Sequence, residues 1–511
     1  MLSELEIEEL ALELVAMGSV NGGPGETALV ESLAAHLRAH PLARSGALRV
    51  ELLPSPDDPL GRPVPLACRP GRRRRAVLLM GHIDTVGTGD YLDLEPLALR
   101  PRALTQEVAK GALGAAMAEL ARSGDWLFGR GVLDMKSGVA AALAAFLDLA
   151  ESSFDGHLLF AATPDEEGSS FGVRALDAAL AECFQAEGVE CGAVLNTDYT
   201  TSRPGDGGAF HAYAGSTGKL LPAVYVQGIP SHAAQPEEGL DPIAALAAIA
   251  SEVAYSESLT DGEGDDRSPP PVALFLRDQK PFYDVQTARD ASAYFNLFHR
   301  YRTPREQLAR FMGQVRRGAR AFSARTGPLA LPPLRVLSFA DLRAAASSAS
   351  LPDTAVLDAR ETSRRIVAHL AAQALPEVAL AVCYFAGPLI PRVEAPAWAR
   401  SALVSAVAQA GVPYRVYRHY PYISDLSYLA PSPDWQDASF AANFPPTLLR
   451  DAAAPPKVRL APLMLGPHGS GAHQRTERVL RPHAFSVLPR LLAAAARALL
   501  AAELSAEEES E

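Results

Sequence analysis

Residues 78–85 read Leu-Leu-Met-Gly-His-Ile-Asp-Thr, and the other motifs of the chain are interpreted around this stretch. The apolar run that ends at Met80 predicts a buried strand. His82 and Asp84 follow it, and residues two apart on an extended segment share a face. A histidine supported by a carboxylate suits a metal ligand, but a strand that ends in a polar turn would give the same residues.

The same pattern of a strand with a polar end recurs through the first 200 residues. A short strand and a glycine-spaced turn, which contains Asp134, precede a helix that begins at Ser137. The next strand runs into residues 165–167, Asp-Glu-Glu, here called the acidic tip, and a further strand ends before Asp198. Alternating strands and helices predict an α/β fold with a mainly parallel sheet flanked by helices. Such sheets carry their sites at the carboxyl ends of the strands.

Composition limits the class of protein. A chain of 511 residues is too long for one compact core and predicts two or more domains. The formal net charge of -12 argues against a nucleic-acid-binding protein. The 4 cysteines are scattered, which favours reduced cytosolic thiols over disulfides or a zinc–cysteine site. Because the sequence shows neither a signal peptide nor an uninterrupted membrane span, we expect a cytoplasmic protein without a membrane partner.

The pattern of polar strand ends stops after Asp198, at a linker rich in proline, glycine and aspartate. The strands and helices that follow lack charged ends, which indicates a separate α+β domain. We therefore predict a catalytic domain made of residues 1–207 and 389–511, with residues 208–388 inserted between its two parts. The second part carries a glycine-rich loop with His473.

Together, the polar ends supply the side chains that a hydrolytic site with two metal ions needs. Each ion needs histidine and carboxylate ligands, and one carboxylate bridges the two ions. Nitrogen and oxygen ligands without cysteine suit zinc, and also cobalt or manganese. The candidate ligands are His82, Asp134, Glu167, Asp198 and His473.

The remaining carboxylates near these ligands have candidate roles of their own. Glu166 and Glu167 are adjacent on an extended segment, so their side chains diverge, and one could bind metal while the other serves as the general base. Asp84 would hydrogen-bond the ring nitrogen of His82 that does not bind metal.

Other interpretations remain open at this point. Acidic strand ends can cap helix N-termini without an active site, which would explain Asp134 and Asp198 singly but not the acidic tip together with two distant histidines. Ser424 beside Asp425 could indicate a serine hydrolase, although Ser424 does not lie in a Gly-x-Ser-x-Gly motif. The Gly-x-Gly before Asp134 lacks the third glycine of a dinucleotide-binding loop, so we expect no nucleotide cofactor.

Motifs along nearly the whole chain also carry a family resemblance. They are Gly-His-Ile-Asp-Thr-Val at 81–86, Gly-Arg-Gly-Val-Leu-Asp-Met-Lys-Ser-Gly at 129–138, Asp-Glu-Glu-Gly at 165–168, Asp198, Ser-His-Ala-Ala-Gln-Pro at 231–236 and His473. Together they resemble the aminoacylase/carboxypeptidase G/succinyl-diaminopimelate desuccinylase family of di-zinc metallohydrolases. The resemblance implies that His82 and Asp198 bind one zinc ion and that Asp134 bridges it to a second. Glu167 and His473 would bind this second ion.

The resemblance also implies roles beyond metal binding. Glu166 would be the general base, and Asp84 would support His82. Residues 208–388 would form an inserted lid, through which many members dimerise, so a homodimer is expected. On that lid, His232 would meet the substrate and stabilise the oxyanion. The implied reaction is hydrolysis of an amide or peptide bond in a dipeptide or N-acyl amino acid. A catalytically silent metal-binding protein of the same fold is the alternative.

Two late segments narrow the resemblance. Residues 422–428 and 466–479 resemble the arginine-utilisation protein (RocB-like) branch of the family, which implies a substrate from arginine catabolism. The predicted lid is longer than is usual in the family. His468 offers an alternative late ligand, and we assign His473 because the Glu-Arg-Val at 477–479 follows it in the family's register.

Overall fold

The computed structural model describes residues 2–203, 205–352, 358–387, 389–433, 437–445 and 458–502. The chain divides into two compact units. Unit 1 comprises the described residues of Met1–Ser216, Val393–Ala430 and Pro456–Glu511, and unit 2 comprises those of Thr217–Arg392 and Pro431–Pro455.

The elements are numbered in chain order. The strands are β1 Arg49–Leu53, β2 Val64–Arg69, β3 Arg75–His82, β4 Trp126–Phe128, β5 His157–Thr163, β6 Cys191–Asn196, β7 Phe210–Tyr213, β8 Gly215–Ser216, β9 Gly218–Leu220, β10 Pro222–Gln227, β11 Val272–Asp278, β12 Asp290–His299, β13 Arg335–Ser338, β14 Leu380–Phe385, β15 Val393–Glu394, β16 Tyr414–Tyr417, β17 Leu460–Met464, β18 Gly469–Ser470 and β19 Arg478–Leu480. The α-helices are α1 Glu4–Ala16, α2 Gly25–Ala39, α3 Pro41–Arg44, α4 Pro101–Ala109, α5 Ala115–Ser123, α6 Ser137–Glu151, α7 Phe171–Glu187, α8 Pro242–Val253, α9 Pro304–Thr326, α10 Phe339–Ala345, α11 Ala359–Ala374, α12 Ala397–Ala408, α13 Leu426–Leu429, α14 Ala438–Ala441 and α15 Leu488–Ala501.

The main sheet of unit 1 has eight strands in the order β1-β2-β5-β3-β6-β17-β7-β16. Its centre is parallel, since β3 pairs in parallel with both β5 and β6, and β17 pairs in parallel with β6. Alternate residues of β3 pack into different cores, Val77 and Leu79 on one face and Leu78 and Met80 on the other. A strand buried on both faces reads as a continuous apolar run, as residues 76–80 do.

Helices cover both faces of this sheet. α1, α2, α6, α12 and α15 contribute to the core on one face, and α7 and α13 contribute to the core on the other. The stretch Pro482–Ala501 has the length and mean hydropathy of a membrane span, but 61% of its apolar window is buried inside the protein. Its leucines belong to the core of unit 1, as expected of a core helix. The predicted α/β fold with a mainly parallel sheet flanked by helices is confirmed.

Unit 2 is built around its own sheet, with the strand order β11-β12-β10-β14-β13 and with β9 paired to β12. All of its pairings are antiparallel among the described strands except that of β13 with β14. α8 and α9 pack on one face through residues such as Ile249 and Phe311. α10 and α11 pack on the other face through residues such as Leu342 and Ile366.

The units differ from the predicted domains in three segments. Residues 208–216 belong to unit 1, because β7 pairs with β16 and β17 in its sheet. Residues 389–392 and the described part of Pro431–Pro455 belong to unit 2. The segment with Asn443 and Phe444 is joined to β14 of unit 2. The backbone N–H of Phe385 donates to the carbonyl of Asn443 at 3.1 Å, and the Phe385 ring stacks with Phe444. That residues 208–388 act as a lid stays a prediction.

Candidate metal centre

The carboxyl ends of three parallel strands meet at one edge of the unit 1 sheet. β3 lies between β5 and β6, and its Met80 pairs with Ala161 and Asn196 on either side. Each strand therefore delivers its polar end to the same place. β3 ends in His82, β5 leads into the acidic tip, and β6 leads into Asp198.

The predicted ligands form two groups at this edge, and the groups share one residue. Ligand atoms of His82, Asp134 and Asp198 lie within 4.8 Å of one another, as do those of Asp134, Glu167 and His473. His82 Nε2 lies 3.0 Å from Asp134 Oδ1. His473 Nε2 lies 3.1 Å from Asp134 Oδ2 and 2.8 Å from Glu167 Oε1. The two oxygens of Asp134 thus face different histidines, which is the arrangement that a bridging carboxylate needs.

Asp134 is held in place by a buried ion pair that the sequence did not reveal. Glu477 accepts hydrogen bonds from the backbone N–H groups of Leu133 and Asp134, at 3.2 and 3.3 Å. Arg130 Nη1 donates to the other oxygen of Glu477 at 2.8 Å. Arg130, Asp134 and Glu477 are all buried. The ion pair of Arg130 with Glu477 thus links the loop after His473 to the turn that carries Asp134.

Of the two late histidines, His473 is the one at the centre. It has a left-handed φ of 61°, which is uncommon for a residue other than glycine, and its side chain is 49% exposed. His468 instead faces Ser202, whose Oγ lies 3.2 Å from its Nε2, and its ring packs against Phe210. Burial lowers the pKa of His468 to about 4.

Asp84 lies beside His82, but not through the hydrogen bond that we predicted. The ring nitrogen Nδ1 of His82 is 3.0 Å from the backbone carbonyl of Asp84 and 3.7 Å from its carboxylate. The carboxylate accepts instead from the backbone N–H groups of Glu166 and Glu167, at 3.1 and 3.0 Å. Those two N–H groups lie at a strand end and need an acceptor, so the side chain of Asp84 holds the acidic tip while its backbone orients the histidine.

The charges of the cluster shift the pKa values of its members. Burial alone would raise the pKa of Asp134, but its hydrogen bonds to His473 and His82 keep it below the ordinary value. The hydrogen bonds of His473 with Asp134 and Glu167 raise its own pKa to about 10. Burial, and then the charge of Asp134, raises the pKa of Asp198 to about 8.

Glu166 lies within the field of the same cluster without belonging to either ligand group. Burial raises its pKa well above the ordinary value, and the nearby carboxylates of Asp425 and Asp198 add to this rise, while His82 opposes it. A carboxylate with a raised pKa is a stronger base, and so suits proton transfer near neutral pH.

The donor set fits divalent metal ions. Buried carboxylates that repel one another, as Asp134 and Asp198 do, need a positive charge between them to stay ionised together. Imidazole and carboxylate ligands in groups of three, without thiolates, match catalytic zinc, cobalt or manganese sites.

The segment that resembles the RocB-like branch also reaches the strand ends. Thr163 Oγ1, at the end of β5, donates to Asp425 Oδ2 at 2.8 Å, and Thr163 pairs with His82 across the strands. Ser424 Oγ accepts from Asn196 Nδ2 at 2.9 Å and from the N–H of Leu426 at 3.3 Å. Neither partner of Ser424 is a histidine, so these contacts do not make it an activated nucleophile.

His232 lies on unit 2, and its role stays a prediction. It is exposed, and its Nδ1 accepts from the N–H of Ala234 at 3.1 Å. Its loop is bound to a second loop of unit 2, since the N–H of Ala233 donates to the carbonyl of Val285 at 2.8 Å.

The sequence analysis missed Asn21, Glu26, Arg62 and Arg130, which hold the ligand-bearing segments. Most of their partners lie far away in the sequence, and the one residue that belongs to a quoted motif, Arg130 at 129–138, was not recognised in this role. Glu477 entered the sequence analysis only through the Glu-Arg-Val at 477–479, which served to choose His473 over His468 as the late ligand.

The comparisons with known proteins identify the family of the chain. The model of Peptidase family M20/M25/M40 matches residues 78–500. YqjN of Bacillus subtilis is 30% identical, covering 97% of this chain and 96% of YqjN. Protein RocB of Bacillus subtilis is 27% identical, covering 95% of this chain and 93% of RocB.

Among solved structures, the Bacillus subtilis YXEP protein, described as a dinuclear metal binding peptidase from the M20 family, matches with a TM-score of 0.51. It is 12% identical and covers 98% of both chains, so it bears on the fold alone. The predicted family resemblance is confirmed, including its RocB-like branch. The chain belongs to Peptidase family M20/M25/M40, and it is a metallohydrolase enzyme.

Proposed function

We propose that the chain binds two divalent metal ions and hydrolyses an amide or peptide bond in a small amino-acid-derived substrate. The observation that carries this proposal is the pair of ligand groups that share Asp134. His82 and Asp198 would hold one ion, Glu167 and His473 the other, and Asp134 both. Zinc fits these donors, as do cobalt and manganese. Ions held there would polarise the scissile carbonyl and lower the pKa of a water molecule.

The side chains around the centre would move the proton. Glu166, next to the ligand Glu167 but outside both ligand groups, takes a proton from the attacking water and passes it to the leaving amine. Its raised pKa suits both steps, because the group must first accept and then release the proton. His232 on unit 2 would donate to the oxyanion of the tetrahedral intermediate.

The charge of the centre supports a substrate with a positive group. Asp425 is buried, and neither ligand group includes it. Its Oδ2 is bound to Thr163, and burial raises its pKa to about 7. A guanidinium or ammonium group nearby would stabilise its charged form. We therefore propose dipeptides or N-acyl amino acids derived from arginine or ornithine, in line with the similarity to RocB.

A substrate panel tests the proposal. The metal-loaded chain is incubated with dipeptides and N-acyl amino acids, both cationic and uncharged, with and without a chelator. We expect hydrolysis that prefers cationic substrates, stops with the chelator and returns when a divalent metal is added back. Turnover that resists the chelator, or no turnover of any substrate, would contradict the proposed function.

The same panel is run on the variant Asp425→Asn, which tests whether the charge of Asp425 selects cationic substrates. Asparagine keeps the shape and can still accept the hydrogen bond from Thr163, but it carries no charge. We expect kcat/KM for cationic substrates to fall about 10–100-fold, as a charged hydrogen bond of about 1.5–3 kcal/mol is lost. Uncharged substrates should lose less, because for them the variant removes only the effect of the Asp425 charge on Glu166. An equal loss for both classes would show that Asp425 does not select charge.

We also propose that the enzyme is a cytoplasmic homodimer that associates through unit 2. β11 is the end strand of its described sheet, and it exposes Leu274 and Leu276. The loop that follows exposes two aromatic residues, Phe282 and Tyr283. An apolar edge strand is a template for pairing with a second copy.

Light scattering tests the dimer. We expect twice the 54.1 kDa of one chain, falling to 54.1 kDa when Leu274 and Leu276 are both replaced by glutamate. The control is Leu60→Glu, because Leu60 is a similarly exposed leucine on unit 1. A parent that sediments and scatters as a monomer would exclude this dimer.

A further inference from the structure

Two residues near the N-terminus contact the acidic tip that carries Glu166. Asn21 lies in the loop between α1 and α2, and Arg62 lies just before β2. Neither is in a ligand group, and neither is used in the proposed chemistry. Both contact Asp165, the first residue of the tip.

Asn21 joins two carboxylates that would otherwise repel each other. Its Nδ2 donates to Asp84 Oδ2 at 2.9 Å and to Asp165 Oδ1 at 3.0 Å. Both hydrogens of one amide group are thus used. Asp84 in turn accepts the backbone N–H groups of Glu166 and Glu167. Two hydrogen bonds therefore connect the amide of Asn21 to the backbone of the general base.

Arg62 ties the same tip to the body of unit 1. The guanidinium is buried and lies 2.9 Å from Asp165 Oδ1. It also donates twice to Asp58, at 2.7 and 3.0 Å, and twice to Glu26, at 3.0 and 2.8 Å. Glu26 then accepts the backbone N–H of Asp165 at 3.1 Å. A planar fork that binds carboxylates in pairs fixes their positions as well as their charges.

The tip needs such support because of its conformation. Asp165 has a left-handed φ of 72°, which aspartate tolerates at a cost in energy. Its Oδ2 accepts the N–H groups of Ser169 and Phe171, both at 3.2 Å, which leaves Oδ1 for Asn21 and Arg62. The direction of the Glu166 side chain therefore depends on a backbone that these two residues hold from outside.

We propose that Asn21 and Arg62 are positioning residues for Glu166, an inference that rests on the proposed role of Glu166 as the general base. They keep the acidic tip at the distance from the centre at which Glu166 would reach the attacking water. A displacement of about 1 Å at a reacting group can cost about a hundredfold in rate.

The test compares Asn21→Ala and Arg62→Lys with the parent enzyme. Asn21 is in a loop, so its alanine variant should fold, and lysine keeps the charge at position 62 without the fork. We expect kcat to fall about tenfold to a hundredfold in Asn21→Ala and less in Arg62→Lys. KM should stay within about threefold, and the bound metal should match the parent, because substrate binding and the ligands are unchanged.

Arg481→Lys is the matched control. Arg481 donates twice to Glu8 Oε2, at 2.9 and 2.7 Å, and neither residue contacts the tip. Its lysine variant also breaks an arginine–glutamate pair of unit 1, although one that is 38% exposed on the arginine side, and we expect it to keep the parental kcat. Parental kcat in both test variants, or a loss of kcat that follows a loss of metal, would overturn the inference. A parent without any hydrolytic activity would instead refute the proposed function.

Discussion

The variant Glu166→Gln is expected to lose about 10²–10⁴-fold in kcat, the usual contribution of a general base, while it binds metal as the parent does. Glutamine has nearly the same shape but cannot take up the proton of the water. The ligands are unaffected, because Glu166 belongs to neither ligand group. Turnover is measured on the substrate identified by the panel, and metal content by elemental analysis of the same sample.

The neighbouring position supplies the control for this experiment. Glu167→Gln should lose metal together with activity, because Glu167 belongs to the group with Asp134 and His473. The pair of variants thus separates proton transfer from metal binding at adjacent residues. If Glu166→Gln kept most of its turnover, Glu166 would not be the general base. If it lost metal instead, the roles of the two glutamates would be reversed.

The variant Asp134→Ala is expected to lose both ions, because Asp134 is the residue that the two ligand groups share. Metal stabilises the folded chain by mass action, by about 2.7 kcal/mol per site at a concentration of 100 times Kd. Thermal unfolding with and without metal should therefore show a large rise in Tm for the parent and none for Asp134→Ala.

Asp198→Ala shows whether this loss is specific to the bridging position. It removes a ligand from one group only, and leaves the group of Asp134, Glu167 and His473 complete. We expect this variant to keep one ion and part of the metal-dependent rise in Tm. Equal losses in the two variants would mean that the ions bind cooperatively. A full complement of metal in Asp134→Ala would exclude Asp134 as a ligand.

The part of the centre that could be predicted from the sequence is the part encoded next to strand ends. His82, the acidic tip and Asp198 each follow an apolar run, and parallel strands bring their carboxyl ends to one edge. In the structure, these side chains lie together at that edge. The choice of His473 over the nearby His468 could not be made from the residues alone. It rested on the family resemblance of residues 477–479.

The supports of the centre could not be predicted, for a physical reason. Arg62 reaches Asp165 through the packing of a loop against a strand end about a hundred residues away, and such a contact leaves no periodic pattern in the sequence. Asp84 shows a subtler limit. Its spacing from His82 predicted the neighbourhood correctly, but the choice between carboxylate and carbonyl depended on the unpaired N–H groups of the acidic tip.

The wide spacing of the ligands along the chain has a consequence for how the enzyme is made in the cell. Glu167 and His473 meet in one ligand group although 306 residues separate them. At about 5–20 residues per second, a ribosome needs about 15–60 s to synthesise that interval. Asp198, the last ligand of the other group, is synthesised early in this interval, whereas His473 and Glu477, which holds the turn of Asp134, come at its end or just after it. Metal uptake during biosynthesis should therefore follow the synthesis of this late loop.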